Sequence, residues 1–434
     1  MSDIQRYKHA VAFLESLQNL TGVDFHAGNS NPGHHFARMK HLLKLAGNPD
    51  KGMKIIHIAG TSGKGTVTNL IHQILWKAGY KTGVHVSPYA ATPLEKLQIN
   101  GRFISPKNFA DTVDRIKPIL EKCLTTFDAP SFFEAFILMV LFYFKKEKCD
   151  YVVLETGCGG RFDGTNAVNK TILQIITNIG LDHTHVLGNT VEKIAFEKGG
   201  IIRPNGHLIT TAKQPSVIKV FEKICKEKKS AIEVLTSDRP NEALAIAVAK
   251  HLNIPDKAIN AGLLSAKLPC RFEILQKNPT VIIDGAHNPD KLNFLTKNLE
   301  QHLRQIADQP NRSTKKSRRA AKIHLVFALT TNKKIDDCLA PFGRFNAKIY
   351  PTRFLDAARK ATWPAEILKT AKKLKIPATD FFLDPQDALR AALNSATKDD
   401  IVLIAGSFYL CSELRELWIP EEYIIKQKTL FKKI

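Results

Sequence analysis

Between Lys54 and Val86 the chain alternates in a way that leaves few folds open. Lys54 to Ala59 (KIIHIA) is an apolar run of strand length, and Gly60 to Thr66 reads GTSGKGT. Thr66 to Ala78 then spaces Val67, Leu70, Ile71, Ile74 and Leu75 along one helical face, and Thr82 to Val86 is apolar again. Strand, helix and strand in such short order make a βαβ unit, whose crossover requires a parallel sheet. Further strands are predicted at Tyr151 to Glu155, Ile172 to Thr177 and His207 to Thr211. Ahead of them, Ile4, Tyr7, Val11, Leu14 and Leu17 mark an amphipathic helix, and a second runs through Met39 to Leu45. A new alternation starts after Pro269. Its strands are expected at Thr280 to Asp284, His324 to Ala328, Ala347 to Tyr350 and Ile401 to Ala405. Its helices are expected at Pro289 to Leu303, Ala365 to Leu374, Pro385 to Ser395 and Phe408 to Leu417. Gly262, Pro269 and weak periodicity put a linker between Ala261 and Arg271.

Length and composition agree with a multi-domain globular protein. The chain has 434 residues, 44% of them hydrophobic and 24% charged, which excludes wholesale disorder. The longest apolar run, Ala135 to Phe144, is about half of what a membrane span needs. The amino terminus, MSDIQRYKHA, lacks the apolar core of a signal peptide, so a cytoplasmic protein is expected. Seven cysteines without a C-x-x-C argue against a disulfide framework or a zinc site. The net charge of +22 favours anionic partners. Its clearest cluster, Asn311 to Lys322 (NRSTKKSRRAAK), is read as a solvated loop, and no arginine–aromatic interleaving suggests stacked bases.

Three segments carry chemistry. In the loop from Gly60 to Thr66, successive backbone N–H groups and a helix amino end would face a phosphate, with Lys64 reaching its terminal oxygens. The spacing departs from G-x-x-x-x-G-K-[ST], because Gly65 separates Lys64 from the hydroxyl of Thr66. The second segment is ETGCGGRFDGTN, Glu155 to Asn166, where a carboxylate at a strand's carboxyl end is placed to hold Mg²⁺. The third, Asn178 to Ile201, contains His183 and Lys198, which taken alone would be a structural histidine and a solvated helix lysine.

AGTSGKGT, SPY with LEKLQINGRFIS, SFFEA, ETGCGGRFDGTN, NIGLDHTHVLGNT, FEKGGI, LPCRFE, DGAHNP and GSFYL follow one another from about Phe36 to Leu417. In that order they resemble folylpolyglutamate synthase/dihydrofolate synthase, a branch of the Mur ligase superfamily. The resemblance implies an α/β fold of two domains. A parallel-sheet P-loop ATP-binding domain would span residues 1–264, a linker 265–271, and a smaller Rossmann-like ligase domain 272–434. It implies an ATP loop made of Gly60, Thr61, Ser62, Gly63, Lys64, Gly65 and Thr66. Asn241, Arg271 and Asp284 would complete the ATP contacts, so that ATP lies across the domain interface. Ser87 and Glu155 would hold a first Mg²⁺. Glu155, His183 and Lys198 would hold a second, with Lys198 carbamylated as is typical of the family and K⁺ as a further candidate cation. Lys64, His183 and Lys198 are the expected catalytic residues.

For the pteroate or folate ring the resemblance offers Ser131, Phe133 and Asp163, and for the incoming glutamate His287 and Ser407. Core packing of Phe133 and helix capping by Ser407 stand beside those roles. The implied reaction is activation of a carboxylate of dihydropteroate or a folate as an acyl phosphate, followed by attack of the L-glutamate amine. ATP, L-glutamate and the pteroate or folate are the expected partners of a monomer, with no nucleic acid and no membrane. The alternatives are another Mur-type ligase acting on a cell-wall nucleotide precursor, or a nucleotide-binding protein that has lost ligation. The chain departs from the family at Ser62 (usually Asn), Tyr89 (His), Lys96 (Arg), Gly199 (Ala) and Cys270 (Gly). ALTTNKK, Ala328 to Lys334, lacks the usual acidic residues. These positions border the substrates, so they bear on specificity.

Overall fold

The structure, a computed structural model, describes residues 1–20, 31–307, 321–331, 333–356 and 360–432. The chain forms two compact units, one of Met1–Tyr89 with Pro93–Lys267, the other of Ala90–Thr92 with Leu268–Ile434.

The first unit opens with α1 (Asp3–Leu20), α2 (Pro32–Leu45), β1 (Lys54–Ala59), α3 (Lys64–Lys77) and β2 (Thr82–His85). A short hairpin, β3 (Gln98–Ile99) and β4 (Arg102–Phe103), precedes α4 (Pro106–Cys123), α5 (Phe132–Lys146) and β5 (Tyr151–Glu155). Next come β6 (Leu173–Ile176), α6 (Thr184–Leu187), α7 (Val191–Gly199), β7 (His207–Thr210) and α8 (Pro215–Lys228). β8 (Ala231–Val234), α9 (Pro240–His251) and α10 (Asp256–Ser265) complete it. The eight strands run β4-β3-β2-β5-β1-β6-β7-β8. The sheet from β2 to β8 is parallel, and β3 and β4 extend its edge antiparallel, a hairpin too short for alternation to reveal. β1 lies between β5 and β6, so the loops that leave the carboxyl ends of these three strands are neighbours.

α3 starts at Lys64, two residues earlier than its apolar spacing indicated. Gly63, at φ 86°, takes the left-handed turn into the helix, so Gly65 is helical and not part of the loop. The expected linker also needs correction at its amino side. α10 continues through Ser265, because Gly262 is a contact glycine and not a breaker: a Cβ there would lie 2.5 Å from Ile74 Cα. Ile56 and Ile58 of β1 pack with α3, α9 and α10 in one core on that face of the sheet. α5 is apolar all round and buried from Ala135 to Leu141, each such side chain contributing about 1.5–3 kcal/mol if large.

The second unit contains β9 (Glu273–Lys277), β10 (Thr280–Ile283), α11 (Pro289–Ala307), β11 (Ile323–Phe327), α12 (Ile335–Leu339) and β12 (Ala347–Pro351). After them come α13 (Pro364–Lys373), α14 (Pro385–Ser395), β13 (Ile401–Ala405), α15 (Phe408–Arg415) and α16 (Glu421–Gln427). Its sheet, β12-β11-β13-β10-β9, is parallel except for the antiparallel edge strand β9. Of the basic stretch Asn311 to Lys322, all but Ala321 and Lys322 lies outside the described residues, as does Asn332.

Candidate functional site

The loop after β1 is held by the segment after β6. Thr61 N donates to Asn178 O (2.9 Å) and Ser62 N to Asn178 Oδ1 (2.8 Å), while Thr177 Oγ1 donates to Ser62 O (2.6 Å). Gly60, at φ 149°, could not be another residue: its Cβ would fall 1.8 Å from Thr177 Oγ1. A Cβ on Gly63 would lie 2.4 Å from Asn241 Oδ1, so the structure brings Asn241, in the first turn of α9, onto the loop. Lys64 folds back to donate to Gly60 O at 3.1 Å. Thr66 is half-buried in the first turn of α3. Ser62 Oγ is buried with no hydrogen-bond partner among the described residues.

Glu155 ends β5, buried, and its Oε2 accepts from Ser87 N at 3.2 Å and lies 3.5 Å from where a Gly65 Cβ would stand. Ser87, Glu155 and the loop therefore meet. Hard carboxylate oxygens beside a phosphate loop suit a divalent cation of the Mg²⁺ type. Lys198, in α7, is buried; burial, aided by the Lys64 ammonium, pulls its amine down to about 8, against the fields of Cys158, Asp182 and Asp163. As an ammonium it repels a cation, so its fit to a metal depends on conversion to a carbamate. His183 takes the left-handed turn into α6 at φ 48°, half-buried, its N–H donating to Asp182 Oδ1. Among the described residues no group of three or more His, Cys, Asp or Glu forms a ready cage.

Ser131, Phe133 and Asp163 come together on the α5 side of the sheet. A Gly157 Cβ would meet both Phe133 Cζ (2.9 Å) and Asp163 Oδ2 (3.3 Å), so the glycine loop packs closely against both side chains. Ser131 caps α5 in a box with Glu134: its Oγ donates to Glu134 Oε2 (2.7 Å) and accepts from Glu134 N (3.3 Å). With its proton committed, Ser131 can offer a ligand only a lone pair. Asp163 is buried and accepts from Thr165 N (2.9 Å), Thr165 Oγ1 (2.5 Å), Cys158 N (2.9 Å) and Gly157 N–H. Burial raises its carboxyl above the usual range while these donors pull it back.

In the second unit, Asp284 is buried and accepts from Phe272 N and Ala286 N, both at 2.8 Å. Burial raises its carboxyl, opposed by Arg271. The exposed Arg271 donates to Cys270 O, with its guanidinium 5.3 Å over the Phe408 ring. Cys270 sits at φ 53°, a left-handed conformation that favours glycine. His287 Nδ1 lies 2.8 Å from Gly285 O, and its Nε2 lies 3.0 Å from Lys291 Nζ. Ser407 is buried and caps α15, accepting from Tyr409 N at 3.2 Å.

Three features escaped the reading of the sequence. Arg38, fully buried, binds Glu134 with Nη2 at 2.6 Å of Oε2 and also reaches Asp128 and His35, so it stands behind the Ser131 cap. Lys96, noted only as a departure, is buried with its ammonium 4.2 Å from the Phe136 centroid, 4.9 Å from Phe132 and 6.0 Å from Phe133 and Tyr89. Burial brings that amine down to about 7. The third is His57, bonded to Thr165. All three are partnered across more than 40 positions of sequence or caged by distant rings, and only NIGLDH, quoted as a motif, hinted at the support of the loop by Asn178.

Comparison with known proteins adds a family context. Residues 58–252 match the Mur ligase middle domain, and residues 270–408 match the Mur ligase glutamate ligase domain. The dihydrofolate synthase/folylpolyglutamate synthase of Bacillus subtilis is 31% identical over 423 residues, covering 87% of this chain and 94% of that protein. The folylpolyglutamate synthase of Lacticaseibacillus casei is 26% identical, covering 94% and 98%. Among solved structures, Escherichia coli FolC in complex with DHPP and ADP superposes with a TM-score of 0.77 at 26% identity, covering 94% of this chain and 97% of that one. A bifunctional folylpolyglutamate synthase/dihydrofolate synthase with Mn, AMPPNP and L-glutamate bound gives 0.75 at 26% identity, covering 88% and 93%.

Proposed function

The chain belongs to the folylpolyglutamate synthase/dihydrofolate synthase family, and from that premise we propose that it joins L-glutamate to dihydropteroate or a folate at the expense of ATP. It is an ATP-dependent ligase of the Mur type. A carboxylate oxygen of the pteroate or folate attacks the γ-phosphorus, ADP departs, and an acyl phosphate forms. The glutamate amine then attacks the acyl carbon, phosphate leaves, and an amide bond results. The observation that carries this reading is the meeting of Ser87 and Glu155 with the loop that carries Lys64, where a transferring phosphoryl group needs its charge offset.

In this reading the backbone of residues 60–66 cradles the phosphates, Lys64 swings from Gly60 O to the terminal phosphate, and Asn241, Arg271 and Asp284 are nucleotide contacts. Ser87 and Glu155 would hold one Mg²⁺, and Glu155, His183 and a Lys198 carbamate the other. When bound, such ions supply charge compensation and orientation of the phosphates. Carbamylation needs a neutral amine, and the depressed basicity of Lys198 supports it. Phe133 would stack on the pterin ring, with Ser131 and Asp163 at its edge and His287 and Ser407 near the glutamate. We read the protein as a cytoplasmic monomer without nucleic-acid or membrane partners; no described helix is long and apolar enough to cross a membrane.

The test is ADP release by the purified protein with Mg²⁺ and L-glutamate, comparing dihydropteroate with tetrahydrofolate and reading product mass. One glutamate added to dihydropteroate establishes the synthase activity, and chain growth on tetrahydrofolate establishes polyglutamylation. ADP release that needs neither acceptor nor glutamate would sink the ligase reading. Repeating the assay with K⁺ in place of Na⁺ tests the monovalent cation.

A further inference from the structure

Asp163 is held from behind by a buried hydrogen-bond chain that begins on the strand feeding the phosphate loop. His57 lies in β1, fully buried, shortly before Gly60. Its neighbours Ile56 and Ile58 pack under α3, so by strand alternation His57 faces the other side of the sheet. There its Nε2 is 2.7 Å from Thr165 Oγ1, which is 2.5 Å from Asp163 Oδ1. An ionised carboxylate only accepts, so the single hydroxyl proton of Thr165 goes to Asp163, and Thr165 Oγ1 must accept from His57. The ring is therefore the neutral tautomer with its proton on Nε2. Its Nδ1, bare in that tautomer, is buried without a hydrogen-bond partner among the described residues. A leucine would pack this site without leaving a ring nitrogen unpaired, so packing alone does not account for the histidine.

We propose that His57 is a positioning residue for the substrate pocket: by donating to Thr165 it fixes the rotation of the Asp163 carboxylate, keeping Oδ2 on the side of Gly157 and Phe133. The proposal rests on the reading of Asp163 as a contact of the pteroate or folate ring. Oδ1 takes both Thr165 donors, while Oδ2 takes Cys158 N. Without the hydroxyl donor Oδ1 keeps only Thr165 N, and the terminal torsion of the carboxylate, intrinsically broad, is held less closely by the backbone donors that remain.

The experiment compares His57→Leu, His57→Gln, Thr165→Val, the His57→Leu/Thr165→Val double variant and Asp163→Asn in the full chain. For each, kcat and the KM values for ATP, L-glutamate and the pteroate or folate acceptor identified above are measured, with thermal unfolding as the check on folding. His57→Leu and Thr165→Val should each raise the acceptor KM roughly five- to twenty-fold, leaving kcat and the ATP KM within about two-fold. The double variant should be no worse than either single one, because both cut the same chain. His57→Gln, which keeps a donor near the Nε2 position, should restore most of the loss. Additive effects, a loss that falls on kcat or on ATP, or an unchanged acceptor KM in Thr165→Val would overturn the proposal, and Thr165→Val carries the test if His57→Leu does not fold. If Asp163→Asn leaves the acceptor KM unchanged, the contact reading itself fails. If it raises that KM while the other variants do not, only the positioning role is lost.

Discussion

At the scale of single residues, Lys198 is the side chain whose surroundings ask most of it. A buried amine facing the Lys64 ammonium is electrostatically costly as a cation and chemically useful only once its charge is reversed. Lys198→Ala should lower ligation by about two to three orders of magnitude, the scale of losing a group that stabilises a transferring charge. The fold should persist, since removing a buried cation relieves a desolvation cost. The direct check is a ¹³C spectrum of protein equilibrated with ¹³C-bicarbonate: a carbamate signal should appear in the parent and be missing in the variant. Near-normal turnover of Lys198→Ala would remove the residue from the metal site.

At the scale of elements, the capping box at the start of α5 fixes the stability of a helix and the placement of the proposed ring contact Ser131 together. Ser131 satisfies one backbone donor of α5 and supplies one of the donors to Glu134, whose others come from Arg38 and from Ser131 N. Ser131→Ala should therefore cost about 1 kcal/mol, read as a shift of the denaturant midpoint at unchanged slope. Ser131→Thr should recover most of it. Elements of this kind are legible in sequence when their signal is local. The strands β1, β5 and β13 and the helix α14 sit where apolar runs and caps put them, because burial on a parallel sheet demands continuous apolar runs. The two-residue strands β3 and β4 carry no period to detect, and a linker beginning at Ala261 falls inside α10 because Gly262 looks like a breaker until its contact with Ile74 is seen. The site divides the same way: the glycine loop and Glu155 follow from position after a strand, whereas the chains Arg38–Glu134–Ser131 and His57–Thr165–Asp163 depend on tertiary pairing.

At the scale of the whole molecule, buried histidines and net charge set how the protein answers to pH and salt. His57, His72 and His85 are fully buried, and burial holds them at about 3, 4 and 3, against 6.5 in an unfolded chain. Between those values only the unfolded state binds the protons, so stability is present in full above about 6.5 and falls as pH drops toward 4. Denaturant midpoints taken across that window should decline, and His72→Gln should flatten the decline; a flat profile in the parent would show that these rings titrate normally. Salt addresses a different property. The excess of +22 includes exposed lysines 219, 223 and 226 along α8, and an excess of this size attracts every anionic reactant of the proposed ligation. Such long-range attraction is screened over about 10 Å at 0.1 M salt, whereas contacts at residues 60–66 are partly buried and screened less. Raising KCl from about 0.02 to about 0.3 M should thus increase the KM for ATP and for a polyglutamylated folate several-fold, with kcat little changed. The acceptor with the longer glutamate tail, carrying more negative charge, should show the steeper dependence. Equal slopes for short and long tails would mean that the excess charge lies away from the path of the substrates and serves another purpose.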